Sequence, residues 1–203
     1  MEKLKDMRGF FVAAVTPFTR DNRLNEDAMG RLIERTIAQG ASGMLVAGSS
    51  GECLLLTHEE RVRLFEVAAR FKDRTVLMAN VSAVGVDEAI AFGRSARSAG
   101  FHALIATAPF YYKFGMDAIA EYFRAIRAAV DLPLFLYNFP VNTGVDIDVS
   151  HPAIRSILTD GTLAGVKHTS INLGQLERIR RINPELSLFC GYEDAYLGAR
   201  AMA

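Results

Sequence analysis

Short apolar runs alternate with longer amphipathic segments along the whole chain, and few folds accept that pattern. The runs are FFVAAV (10–15), GMLVAG (43–48), TVLMAN (75–80), ALIATA (103–108), PLFLYN (133–138), LAGVKH (163–168) and LSLFCG (186–191). They have strand length and are apolar almost throughout, which predicts strands buried on both faces, as in a parallel sheet covered by helices. Between them lie Asn25–Gln39, Thr57–Phe71, Val86–Ala99, Met116–Ala129 and Leu173–Ile182, each with an apolar stripe of helical period. Thr57 followed by Glu60 reads as a capping box, and Gly40 and Gly100 mark helix ends. The pattern predicts an α/β fold built from βα units in a single domain over residues 1–203.

The units repeat about every 30 residues, which favours a (β/α)8 TIM barrel of about 250 residues over a doubly wound open sheet. Seven strands and about seven helices stop one βα unit short of closure. The chain ends on LGARAMA, inside a helical pattern and without a stop signal, so it reads as a barrel truncated after about seven units, without the eighth unit and any trailing helices. Such an open barrel is expected to expose two strand edges and an apolar flank. It would then be unstable or aggregated, or need completion by another polypeptide.

Composition narrows the function classes. Lys plus Arg and Asp plus Glu are equal at 23 each and are scattered without runs of one sign, so neither a nucleic acid nor a membrane surface is expected as partner. FFVAAV is shorter than the roughly 7 to 15 apolar residues of a signal peptide and far below the about 20 of a membrane span, which predicts a cytoplasmic protein. Cys53 and Cys190 have no redox or metal-ligand spacing and are read as small hydrophobes in a reducing compartment. His58, His102, His151 and His168 are dispersed, and only His168 falls at a strand end, so no metal centre is expected.

In barrels of this kind the chemistry sits at the C-terminal ends of the strands and in the loops that follow. Those positions hold Thr16 and Pro17; Gly48, Ser49, Ser50, Gly51 and Glu52; Pro109 to Tyr112; Tyr137 and Asn138; Lys167, His168 and Thr169; and Gly191, Tyr192, Glu193 and Asp194. Lys167 is the sharpest of them. An apolar strand delivering an ammonium into a partly desolvated mouth is how a nucleophilic amine is made, because burial disfavours the charged form. The plainer alternative is a strand-end lysine that snorkels to water. Tyr137, on the neighbouring strand, is suited to pass protons beside a cation, or else packs with a wet hydroxyl. GSSGE offers two hydroxyls and several loop amides that can hold a carboxylate, although Ser and Gly also make ordinary turns. Glu193 and Asp194 either accept hydrogen bonds from substrate hydroxyls or form a solvated acidic start to a helix.

GSSGE, APFYY (108–112), YNFPVNTG (137–144), GVKHTS (165–170) and GYED (191–194) occur in the order and spacing of the dihydrodipicolinate synthase and N-acetylneuraminate lyase family, which this chain resembles over essentially its whole length. The resemblance implies a (β/α)8 barrel, a tetramer, and a class I pyruvate-dependent aldolase or lyase without metal or organic cofactor. It implies a Schiff base between Lys167 and pyruvate, proton relay by Tyr137, and a hydroxyl relay through Ser49 to Tyr111, the latter lent by a neighbouring subunit. Gly48, Ser49, Ser50 and Gly51 would cradle the pyruvate carboxylate. Thr169, Gly191, Tyr192, Glu193 and Asp194 would meet the variable part of the substrate. The lysine-precursor branch carries an arginine in YNxPxRTG where this chain has Asn142. An amide cannot replace a bidentate guanidinium. That places 4-hydroxy-tetrahydrodipicolinate synthase second, behind an aldolase whose aldehyde is a polyhydroxylated, uncharged chain. YNFPVNTG with FCGYED looks most like the 2-keto-3-deoxy-sugar-acid aldolases, and GYED resembles the GYDE of sialic acid lyases. A non-catalytic relative that keeps the fold is the remaining alternative.

Overall fold

The computed structural model describes residues 7–202; the polar MEKLKD segment and the final Ala203, with the expectations that fall on them, lie outside the described residues. All seven expected strands form: β1 (Phe11–Ala13), β2 (Gly43–Val46), β3 (Val76–Asn80), β4 (Ala103–Thr107), β5 (Leu134–Asn138), β6 (Gly165–His168) and β7 (Ser187–Cys190). Their order in the sheet is the order of the sequence, β1-β2-β3-β4-β5-β6-β7. A doubly wound sheet reverses direction at a switch point, whereas a barrel adds each strand beside the last. The fold is accordingly the (β/α) barrel class, represented by seven βα units. Every residue of β2, β4 and β5 is buried, whereas β7, at the end of the order, is half-buried throughout.

The helices are α1 (Glu26–Ala38), α2 (His58–Ala69), α3 (Val86–Ala99), α4 (Met116–Ala129), α5 (Pro140–Thr143), α6 (Pro152–Thr159), α7 (Leu173–Ile182) and α8 (Tyr196–Met202). Five match the expected segments; α5 and α6 were not named by periodicity. Both start with proline at the first helical turn, where the missing N–H costs nothing. The capping box is present as read. Thr57 Oγ1 accepts from Glu60 N at 3.2 Å, and Glu60 Oε2 accepts from Thr57 N at 2.8 Å. Thr57→Ala is expected to cost about 1 kcal/mol and to lower the melting temperature by roughly 2–4 °C, read by circular dichroism. Gly40 and Gly100 take φ of +79° and +98°, the left-handed conformation that ends α1 and α3.

The chain divides into two compact units, residues 1–81 with 91–104, and residues 82–90 with 105–203. In the first, β1, β2 and β3 pair in parallel, Phe11 opposite Gly43 and Gly43 opposite Val76. Its core includes Ile33, Met44, Leu64, Phe65 and Leu77, each at most 1% exposed. In the second, β5, β6 and β7 pair in parallel, Tyr137 opposite Lys167 and Lys167 opposite Phe189. Its core includes Ile119, Phe123, Ile126, Phe135 and Ile157, all 0% exposed. Among the described residues no helix is long and apolar enough to cross a membrane.

Candidate active site

In the first unit β2 runs into a 3-10 turn at Ser49–Gly51. Ala47 and Glu52, on either side of it, both adopt left-handed backbone at φ +53° and +59°. For residues with a Cβ that conformation stores about 1 kcal/mol or more each, and it persists only where the surroundings impose it. Those surroundings are visible. Thr16 Oγ1 donates to Gly51 O at 2.6 Å, Asn80 Nδ2 donates to Ala47 O at 2.8 Å, and Cys53 N donates back to Gly48 O at 3.3 Å. A Cβ on Gly51 would stand 2.8 Å from Ala14 O, so only glycine lets the turn lie against the end of β1. The result is a rigid turn with Gly48 and Gly51 buried and Ser49 and Ser50 exposed. Its first amides have no partner within the turn. Cys53 is buried behind it, and burial pushes its thiol up from its ordinary value.

In the second unit the register sets Tyr137 beside Lys167 on one face of the sheet. Lys167 Nζ lies 4.0 Å from the centroid of the Tyr137 ring. Tyr137 is 3% exposed and stacks on Phe139 with centroids 5.5 Å apart and planes 15° apart. The ring thus packs on Phe139 and also has the amine over it. Gly191 closes in from the end of β7: a Cβ there would overlap Thr169 Oγ1 and come within 3.3 Å of Lys167 Cε. Thr169 is 4% exposed and its hydroxyl has no partner. Lys167, Tyr137, Thr169 and Gly191 therefore form one cluster, containing an amine, a phenol and an unengaged alcohol. Tyr192 is half-buried, and Glu193 and Asp194 are exposed in the 3-10 turn that leads into α8.

Tyr111 is placed differently. It is 84% exposed, has left-handed backbone at φ +77°, and meets Tyr112 edge to face at 5.0 Å. Asn142 is exposed within α5.

Strand alternation sends the next residues the other way. Asn138 and His168 are register partners at 2% and 1% exposure, and they belong to a buried polar cluster rather than to the strand-end mouth in which the sequence grouped them. Asn138 Nδ2 lies 2.9 Å from Gln175 Oε1, 3.3 Å from His168 Nδ1 and 3.4 Å from Asp146 Oδ1. His168 Nε2 lies 3.0 Å from Asn172 O. Burial pushes the imidazole below its ordinary value, against the opposing pull of the Asn172 carbonyl and the Asp146 carboxylate. Gln175 and Asp146 were not singled out by the sequence. Among the described residues no three His, Cys, Asp or Glu side chains come together as a metal set.

The model of the dihydrodipicolinate synthetase family matches residues 6–202. The chain belongs to that family. Within it, an N-acetylneuraminate lyase from Citrobacter koseri is 35% identical over 194 residues, covering 95% of this chain and 65% of the relative. Among solved structures, CdNal from Clostridium difficile in complex with mannosamine superposes with a TM-score of 0.91 at 30% identity, covering 97% of this chain and 68% of that one. YagE, a prophage protein of the dihydrodipicolinic acid synthase family from E. coli K12 in complex with pyruvate, gives a TM-score of 0.89 at 27% identity over 97% and 67%. This family member spans about 65% of the length of the curated relatives it matches.

Proposed function

We propose that the protein is a class I aldolase or lyase in which Lys167 forms a Schiff base with pyruvate or a pyruvate-containing 2-oxo acid. The observation that carries the reading is the Lys167 amine seated 4.0 Å over the Tyr137 ring, within a cluster that includes a buried, unpartnered Thr169 hydroxyl. The amine adds to the C2 ketone, and the carbinolamine loses water to give an iminium. Tyr137 moves the proton that leaves with the hydroxyl. The iminium then accepts the electron pair released when the C3–C4 bond breaks, or supplies the enamine that forms it, so no metal or organic cofactor is required. Ser49 and Ser50, with the amides and glycines of their turn, are assigned to the pyruvate carboxylate on the motif match. Thr169, Gly191, Tyr192, Glu193 and Asp194 are assigned to the remainder of the substrate.

The aldehyde partner is a polyhydroxylated sugar derivative, giving a 2-keto-3-deoxy-sugar acid or a sialic-acid-like substrate. Support comes from Asn142 in place of the arginine that a carboxylated aldehyde calls for, and from the lyase named in Citrobacter koseri at 35% identity. The working form is a cytoplasmic homo-tetramer in which Tyr111 reaches a neighbouring subunit's site. The exposure of Tyr111 and its costly left-handed backbone support that role.

The test is to incubate the chain with pyruvate and borohydride and to locate the adduct by peptide mass spectrometry. One adduct, on Lys167, is expected; a folded sample with none overturns the reading. Tyr137→Phe keeps the ring under the amine and removes only the hydroxyl, so it should slow adduct formation by about 100-fold. An unchanged rate would take the proton-transfer role from Tyr137.

A further inference from the structure

The buried cluster behind the reacting face has a direction that its two ends dictate. Gln175 Nε2 donates to Ile147 O in a short contact, and His168 Nε2 faces Asn172 O at 3.0 Å. Both oxygens are backbone carbonyls and can only accept. Gln175 must therefore turn its amide nitrogen to Ile147, which leaves Oε1 toward Asn138. Asn138 must then present Nδ2 to Gln175, 2.9 Å away, with its second hydrogen between His168 Nδ1 at 3.3 Å and Asp146 Oδ1 at 3.4 Å. His168, donating through Nε2, accepts through Nδ1 and is a neutral ring of one defined tautomer. This orientation pairs both amide nitrogens and both ring nitrogens, and among the described residues only Asn138 Oδ1 is left without a partner in the cluster.

We propose that Gln175, Asn138 and His168 form a positioning relay that fixes Tyr137 and Lys167 for imine formation, and that protonation of His168 releases it. This rests on the Schiff-base reading of Lys167. The relay ties the end of β5, the end of β6, the chain at Ile147 and the start of α7. Its strand residues are immediate neighbours of the reacting ones, Asn138 after Tyr137 and His168 after Lys167. Backbone bonds complete the tie: Thr169 N donates to Asn138 O and Gly191 N donates to His168 O, both at 2.8 Å.

A second proton on His168 would set Nδ1–H against the Asn138 amide donors. Turning Asn138 over would relieve that contact but set its oxygen against Gln175 Oε1, and turning Gln175 over would set oxygen against the Ile147 carbonyl. No protonated arrangement keeps the bonds that Asn138 makes to both Gln175 and His168, and losing a buried hydrogen bond to a donor–donor or acceptor–acceptor contact is costly. Around His168 the ionisable groups are Asp146 on the chain following β5, Cys190 opposite it on β7, and Lys167 next to it in β6. α7 offers the neutral Gln175, and α6 contributes Ile154 and Leu158 to the apolar cavity lined also by Asn138 and Gln175.

His168→Gln keeps an acceptor and a donor but does not titrate. Gln175→Glu keeps the shape, and as a carboxylate it cannot donate to Ile147 O. The measurement is the rate of pyruvate trapping on Lys167 against pH, for the natural chain and both variants, with melting curves establishing that each is folded. Protonation of the reacting amine enters every rate alike, so the ratio of natural chain to His168→Gln is the readout. Because burial holds the His168 imidazole below its ordinary value, the ratio should stay constant from neutral pH down through the ordinary imidazole range and fall only at more acid pH. Gln175→Glu should be slower than the natural chain by about 10- to 100-fold at neutral pH. A ratio that does not change with pH, or a Gln175→Glu rate equal to the natural one, overturns the relay while an adduct on Lys167 leaves the Schiff-base reading standing. A natural chain that is folded and traps nothing overturns both.

Discussion

Lys167→Ala is expected to abolish pyruvate capture and leave the fold intact. The chain has five lysines, so the adduct peptide is easily assigned, and the peptide carrying position 167 should lose its label with none appearing elsewhere. The fold should survive because Lys167 is half-buried and its visible partner is the Tyr137 ring, which stays stacked on Phe139 without it. Losing the cation–π contact removes roughly 0.5 to 2 kcal/mol. Lys167→Arg separates charge from nucleophilicity: the guanidinium preserves a cation above the ring but remains protonated and cannot add to a ketone. It should be as inert as alanine while melting close to the natural chain. Any pyruvate adduct retained in Lys167→Arg would mean that another amine is the nucleophile.

Much of this was legible in the sequence, for reasons that differ from element to element. The strands were found to within two or three residues because a parallel strand covered on both faces must be apolar along its length, and LFLY or MLV admits no other reading. α2 announced its start through two side chains that cap each other. α6 stayed hidden: PAIRSILT is eight residues long, too short to show a period, and the signals at its start are His151 and Pro152, which are common in loops. Of the candidate site, Lys167 and Tyr137 were read as neighbours on adjacent strands, and the amine does stand 4.0 Å from the ring centroid. Grouping His168 with them overlooked what alternation dictates, since consecutive strand residues face opposite ways and only one of Lys167 and His168 can share a face with Tyr137. Gln175 lies 37 residues from Asn138, and nothing local marks it as the group that sets the orientation of that amide. The close approach of Gly191 to Thr169 is likewise a matter of backbone distance, which the sequence shows only as a glycine after a strand.

Gly165→Ala is expected to destabilise the protein by about 3 kcal/mol, toward the upper end of the usual range for overpacking a core. Gly165 stands in β6 two residues before Lys167, so it faces the same side, one layer below the Lys167–Tyr137 pair. Its register partners are Phe135, two residues before Tyr137, and Ser187. A Cβ at 165 would overlap the Ser187 carbonyl oxygen and a carbon of the Phe135 ring, with a second ring carbon at 2.7 Å. Neither neighbour yields cheaply. Ser187 O belongs to the backbone, and the strand is held on both sides, Ala164 N donating to Leu134 O at 2.8 Å and Ser187 N to Ala164 O at 3.1 Å. Phe135 is fully buried and packs against Phe189 at 5.8 Å. The same device occurs in the first unit, where a Cβ on Gly43 would strike the ring of its register partner Phe11. In both places a glycine makes room for an aromatic ring on the adjacent strand, the large-beside-small packing that layered strand interiors require. For a chain of this size the loss corresponds to a fall of roughly 6–12 °C in melting temperature. Phe135→Leu in the Gly165→Ala background should recover part of it by vacating the contested space, which a double-mutant cycle reads as a favourable coupling. A Gly165→Ala melting curve indistinguishable from that of the natural chain would mean that β6 can shift as a whole. Lys167, carried on the same strand, would then not be held in the place that the proposed imine chemistry demands.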